Sequence, residues 1–395
     1  MTGNWQSICL GELVHFKTGK LDSNAAVSDG GYPFFTCAQE TLRTNTYSFD
    51  TECVLLAGNN ANGIYPLKYF RGKFDAYQRT YVVTPLDCSR LTTKFLYYAL
   101  RPKLSELRNI STGAATKFLT LTILNRTEIQ VPPLLVQRRI AGILSAYDEL
   151  IENSQRRIRI LESMARALYR EWFVHFRFPG HESHSRANSF FAELPNGWEV
   201  KNVAQSFEIS GGGTPSRKES SYWEGGAIQW FSPSDLTAAG TMFMDDSRDH
   251  INERGLAKSS ANLFPACSVM LTSRATIGAV AINAREACTN QGFITCIPNE
   301  RVPLYFLFYW LTENVPTFHR MASGATFKEI SRGVFKTIEF VHPAANLVRR
   351  FNDVVKPMAE QILALQRQIQ NLRSTRDLLL PRLLSGQINL ETNQP

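Results

Sequence analysis

Two stretches of the chain place mostly apolar residues on a 4-3 ladder. The first has rungs at Ile140, Leu144, Tyr147, Ile151, Ser154, Ile158, Leu161, Ala165, Leu168 and Trp172. The second has Phe351, Val355, Met358, Ile362, Leu365, Ile369, Leu372, Arg376, Leu379 and Leu383, each 211 positions after its counterpart. Apolar residues at a mean spacing of about 3.5 form a seam on one helical face, and that seam requires a covering helix. Two such seams in one chain most simply cover each other, in antiparallel packing. The pattern therefore predicts long helices over 133–176 and 344–386. Pro133 suits a helical first turn, and neither Gly nor Pro falls between Gly142 and Pro179. Pro357 predicts a kink, and Ser385-Gly386 predicts the stop of the second helix.

The residues before each helix follow a different pattern. Short β-like runs such as Cys53–Leu56 and Thr80–Thr84 alternate with Gly/Asn turns, and a helix is predicted over about Thr93–Leu107. Its counterpart is predicted over about Val302–His319. The chain thus divides into a domain at 1–132, a helix at 133–176, a linker at 177–197, a second domain at 198–343, a second helix at 344–386 and a tail at 387–395. Gly113-Ala114-Ala115-Thr116-Lys117 recurs as Gly324-Ala325-Thr326-Phe327-Lys328, and Pro132 recurs as Pro343, both 211 apart. Earlier in the domains Trp5 matches Trp198, and Phe16 with Gly19 matches Ile209 with Gly212, at 193. The drift places an insertion in the second domain, around Arg217 to Asp249. A repeat of this length determines the architecture. The expected fold class is α+β: two mixed α/β domains separated by two long antiparallel coiled-coil helices, with an internal pseudo-two-fold repeat. The helices are the shared framework, and the domains are where binding differs.

Composition narrows the class. The 395 residues are 44% hydrophobic and 20% charged, which suits a globular protein of more than one domain. A net charge of +8 favours an anionic partner without proving nucleic acid. The first twenty residues carry no apolar signal region, and the longest apolar run, Leu304–Leu311, is well short of the roughly 18 residues of a membrane span. Seven cysteines without a Cys-x-x-Cys pair suggest reduced thiols and a cytoplasmic location.

Catalytic motifs are missing. The sequence has no Gly-x-Gly-x-x-Gly loop after a strand, no phosphate-binding loop, no His-Glu-x-x-His and no Asp/Asn-Pro-Pro-aromatic segment. His175, His181 and His184 lie in linker composition, so neither a catalytic nor a metal site is expected. The turn-rich loops do carry groups suited to DNA. Asn and Gln can pair with adenine, Arg or Lys with guanine, and the remaining groups can hold phosphates. The candidates in the first domain are Lys17, Lys20, Asn59, Asn60, Asn62, Tyr65, Lys68, Arg71, Lys73, Gln78, Arg79, Thr112 and Lys117. In the second they are Arg217, Lys218, Ser232, Ser234, Arg274, Thr276, Asn290, Gln291, Ser323 and Lys328, with Tyr222 nearby. Gln78 and Gln291 correspond at an offset of 213. On the helices, Arg138-Arg139 recur as Arg349-Arg350 and Arg156 as Arg367. These fit a solvated coiled-coil face or a docking surface. Three readings stand on the residues alone: a DNA-reading protein without its own catalysis, a coiled-coil scaffold that binds protein, and a single-chain DNA enzyme with an unrecognised site.

Several segments resemble the specificity subunit of type I restriction–modification systems. They are Met164–Phe173 (MARALYREWF), Leu378–Ile388 (LLLPRLLSGQI), Leu194–Trp198 (LPNGW), and Thr276-Ile277-Gly278 followed by Thr289-Asn290-Gln291. The resemblance covers essentially the whole chain. The first domain lacks the Gly-x-Thr-Pro-Ser stretch present at Gly212–Ser216, which leaves Lys17 to Lys20 less well matched. The resemblance implies two target recognition domains, each reading one half of a split, asymmetric site in double-stranded DNA. It implies helices that space the domains and dock two modification subunits, which bind S-adenosylmethionine and methylate adenine. It also implies restriction subunits that use ATP and Mg. No cofactor is expected in this chain. The family's DNA-reading loops correspond to Asn59–Tyr65 with Gln78-Arg79, and to Arg274–Gly278 with Asn290-Gln291.

Overall fold

The computed structural model describes residues 5–60, 63–111, 117–183, 186–187, 194–324 and 326–390. The chain divides into two compact units, Met1–Asn153 with Ile369–Pro395 (unit 1) and Ser154–Gln368 (unit 2). The division cuts both long helices, Leu134–Tyr169 and Ala345–Leu384, so each unit owns a segment of each.

In unit 1 the described residues form a sheet in the order Val14–Thr18, Thr80–Pro85, Phe49–Ala57, Leu67–Ala76, Tyr32–Phe35, Leu42–Thr44. All neighbours are antiparallel except Tyr32–Phe35 with Leu67–Ala76. The run from Cys53 to Ala57 is buried throughout because its strand is central and both faces are covered. Val54 joins the cluster containing Phe95, Leu96, Ile140 and Leu144, while Cys53 and Leu55 face Phe35 and Phe74. The helix Thr93–Leu100, capped by Thr92, lies between this sheet and the long-helix segments. A ribbon of Gln6–Cys9 with Glu128–Val131 closes the unit.

Unit 2 repeats the plan. Its main sheet runs Glu208–Gly211, Phe293–Ile297, Val269–Thr272, Val280–Asn283, Phe243–Met244, and a smaller one joins Asp249–Ile251, Ile228–Phe231 and Ala287–Thr289. The ribbon Glu199–Asn202 with Glu339–His342 has the same register as that of unit 1: Gln6 faces Val131 there, and Glu199 faces His342 here. Helix Leu304–Glu313 begins 211 residues after Thr93. Thr120 and Ser331, also 211 apart, each cap a short helix by accepting the backbone N–H three residues on. The extra length in unit 2 is located by these matches. Residues 232–248, with the helix Pro233–Ala239, stand where unit 1 has 36–41, and the helix Glu253–Ala257 adds more after the next strand.

Every rung of both ladders is buried or half-buried. In unit 1, Ile140 and Leu144 cluster with Leu380 and Leu383, and Asp148 pairs with Arg376, so the two segments run antiparallel. In unit 2, Tyr169 and Trp172 pack on Phe351 and share a core with Val355 and Ile362. The first helix closes with a π-helical turn, Arg170–Val174. The second stays helical through Pro357 and Pro381 and stops before Gly386, which takes φ 71°.

Candidate nucleic-acid interface

In unit 1 the candidate loops converge at one end of the sheet. Gly19 N–H donates to Thr80 carbonyl, and Leu21 bridges Tyr77, which sets Lys20 beside the Gln78-Arg79 turn. A Cβ on Gly19 would lie 1.8 Å from the Ala76 carbonyl, so only glycine permits this approach. Gly58 N–H donates to Arg79 carbonyl, and the short strand Asn59–Asn60 pairs with Lys117–Phe118. The Arg79 guanidinium lies 5.7 Å from the Phe118 ring centre. The Cys37 thiol donates to Asn59 Oδ1 at 2.9 Å and orients that amide. Lys17, Lys20, Gln78 and Arg79 are exposed. Asn62 and Thr112 lie outside the described residues.

Unit 2 builds the same junction with other side chains. Gly212 sits on the carbonyls of Thr289 and Asn290, and a Cβ there would come within 2.1 Å of one of them. Thr214 donates to Gln291 Oε1 at 2.7 Å, and Asn290 Oδ1 accepts from Gly292 N–H at 2.8 Å. Arg274 bridges Glu329, Ala275 N–H donates to Lys328 carbonyl, and Ser323 and Glu329 exchange backbone bonds. Ala275 takes φ 60°, a strained left-handed turn that supports the loop. A cleft among the described residues is lined by Gly211, Gly212, Arg274, Gln291, Glu329 and Arg332. Thr276, Ser323 and Lys328 are exposed beside it.

Other candidates are engaged in local contacts. Tyr65 is 3% exposed and packs with Leu56, Leu107 and Leu124, so its ring is a core group and cannot touch DNA in this conformation. Arg217 stacks 3.7 Å from the Trp223 ring centre and pairs with Asp249 at 2.6 Å, which makes it a local clamp. Lys218 is exposed next to it. Ser232 caps the inserted helix Pro233–Ala239 through Asp235, and Ser234 accepts from Arg248. Lys68 donates to the carbonyls of Ala38 and Glu40. On the helices, Arg367 is bound by Asp245 through two bonds of 2.6 and 2.7 Å, while Arg138, Arg156, Arg349 and Arg350 face solvent. Sequence reasoning missed Glu329 and Arg332. A carboxylate next to Lys328 in a repeated basic loop was the available signal for the first. The second required knowing that Gly211 lies beneath it.

His175 is exposed, His181 meets the Phe178 carbonyl, and among the described residues no cluster of His, Cys, Asp or Glu suits a metal ion. All seven cysteines are free. Burial pushes the Cys53 and Cys288 thiols up to about 12, which keeps them protonated and unreactive. Among the described residues no helix is long and apolar enough to cross a membrane.

Comparisons with known proteins agree with this plan. The chain is similar to the type I restriction enzyme EcoDI specificity subunit of Escherichia coli, with 32% identity over 226 residues, 52% of this chain and 50% of that one. It thus matches about half the length of that relative. It is also similar to the type I restriction enzyme MjaIX specificity subunit of Methanocaldococcus jannaschii, with 26% identity over 309 residues, 76% of this chain and 70% of that one. Among solved structures, the type I restriction-modification S subunit from M. genitalium has a like fold, with a TM-score of 0.67 at 18% identity over 96% of each chain. The profile described as the type I restriction modification DNA specificity domain matches residues 2–163 and again 195–369, once for each copy of the repeat, and the chain belongs to that family.

Proposed function

We propose that this chain is the sequence-reading subunit of a type I restriction–modification complex and performs no catalysis of its own. One observation carries the reading: a single scaffold occurs twice, with matching ribbons, caps and helices, yet the loops at the end of each sheet carry different side chains. A repeated frame with unlike readers fits a split, non-palindromic site in double-stranded DNA. Unit 1 would read one half through Asn59, Asn60, Gln78 and Arg79, with Lys17, Lys20 and Lys117 toward phosphates. Unit 2 would read the other through Arg274, Gln291 and Asn290, with Thr276, Ser323 and Lys328 positioned for the backbone.

Partner subunits complete the activity in this reading. Two modification subunits bound to the helices would supply S-adenosylmethionine and methylate adenine, and restriction subunits would supply ATP- and Mg-dependent cleavage. The test is methylation-site sequencing of DNA from cells carrying the chain with its modification subunit. A two-part motif that vanishes when this chain is deleted is expected. Methylation by the purified chain alone, given S-adenosylmethionine, would overturn the reading.

A further inference from the structure

We infer that unit 2 reads a G·C pair through Arg274 and Glu329, and that unit 1 has no equivalent charge pair at the same place. The inference rests on the DNA-reading role proposed above. Glu329 is the informative residue. A carboxylate at a DNA surface is repelled by phosphates but can accept from a base-edge amino group, of which cytosine N4 is the usual partner for Glu. The guanine paired with that cytosine offers O6 and N7 as acceptors to a guanidinium. Arg274 Nε lies 3.5 Å from Glu329 Oε2, so donor and acceptor are already side by side, as the two bases of a pair would need.

The setting supports exchange onto DNA. The two side chains are 48% and 42% exposed, and an ion pair of that exposure adds little to stability. Their backbones are held firmly. Arg274 and Glu329 form an antiparallel bridge, Ile330 N–H donates to Ser273 carbonyl, and Ser323 and Glu329 exchange two bonds. Arg332 lines the same cleft with Gln291 and keeps it cationic despite the carboxylate.

Unit 1 supplies the contrast. The matching bridge there joins Asn59 to Phe118, and Phe118 precedes Glu329 by 211 residues. An amide and an aromatic ring replace the ion pair. The two halves of the site therefore differ in chemistry at this position, with a charged reader in unit 2 and an amide in unit 1.

The experiment is methylation-site sequencing with the assembled complex carrying wild-type chain, Arg274→Ala, Glu329→Gln or Asn59→Ala. The half-site altered by Asn59→Ala belongs to unit 1, so the other belongs to unit 2. That other half is expected to contain an invariant G·C pair, and both unit 2 variants should relax it without altering the first half or the spacer. A measurement on the unaltered protein avoids any folding defect. Replacing that guanine with 7-deazaguanine, which lacks N7, should weaken binding of the wild-type complex roughly 10-fold or more. A unit 2 half-site with no fixed G·C pair, or full binding to the 7-deazaguanine duplex, overturns the inference while leaving the subunit reading intact. Absence of any split motif sinks the subunit reading itself.

Discussion

His342 is 4% exposed on the Glu199–Asn202 and Glu339–His342 ribbon of unit 2, with its Nε2 2.8 Å from Ser206 Oγ. Burial holds its pKa below the ordinary value of 6.5, and the nearby Arg301 and Lys201 push the same way against Glu199. A base with a depressed folded pKa gives stability that is present above its unfolded pKa and is lost as pH falls toward the folded one. Acidification below about 6.5 should therefore loosen the Glu199–Asn202 ribbon. Hydrogen exchange of its amides should quicken at pH 5.5 in the wild type and change much less in His342→Gln; equal quickening in both would refute the assignment. This histidine carried no sequence signal, since its meaning lies in burial. Gly19 and Gly212 were more legible. They align at 193, and each lies against the carbonyl of a neighbouring strand end that no Cβ could tolerate. Tyr65 and Arg217 looked like readers because their types suit DNA. Side-chain type does not say whether a ring faces the core or an arginine already has an aspartate: Tyr65 is a core group, and Arg217 is half-exposed but engaged by Asp249.

Between elements, two rungs of the ladders are polar, Ser154 and Arg376, and only Arg376 carries a charge. Arg376 stands where the ladder expects an apolar residue, and in unit 1 it donates to Asp148 at 2.5 Å. Asp148 also accepts from Tyr98 hydroxyl at 2.8 Å and lies 3.4 Å from Arg101. One carboxylate thus ties both long-helix segments to the domain helix Thr93–Leu100. In unit 2 the positions 211 residues away are Ala359, Tyr309 and Thr312, and the Tyr309 hydroxyl is buried without a partner among the described residues. Unit 2 relies instead on aromatic packing of Tyr169, Phe173, Phe306 and Phe351, with Arg166 bonded to Glu313. The Arg376 and Asp148 side chains are 12% and 29% exposed, so breaking the pair should cost less than a fully buried one, about 2 kcal/mol. Arg376→Ala should show that loss in urea unfolding. Asp148→Ala with Arg376→Ala together should cost less than the two single losses summed, because neither charge is then left alone. Strict additivity would show that the hub is not a coupled unit. The 4-3 pattern announced both helices, but the hub at the charged rung Arg376 needed Tyr98 and Arg101, which lie far away in sequence. Likewise, Pro357 predicted a kink, and Ala345–Leu384 stays one helix through it, with Val355, Met358 and Ile362 packed into the unit 2 core.

For the whole molecule, the informative fact is that both long helices change unit along their length, the first after Asn153 and the second after Gln368. If the helices set the distance between half-sites, lengthening one alone is a poor test, because an insertion of about four residues near Gln155 adds roughly 6 Å to one strand of the seam and throws its rungs out of register with the other. Seven residues added to both helices, after Asn153 and after Gln368, keep the heptad phase on each. The added length is about 10.5 Å at roughly 1.5 Å per residue, close to three base pairs at about 3.4 Å each. The expected result is a methylation motif with both half-sites unchanged and a spacer about three base pairs longer. The single-helix insertion should instead lower the melting temperature and blur or abolish the motif, since it exposes apolar rungs such as Ile151 and Ile362. Retained methylation at the original spacing in the doubly extended chain would mean that the partner subunits, rather than these helices, fix the distance between the two readers.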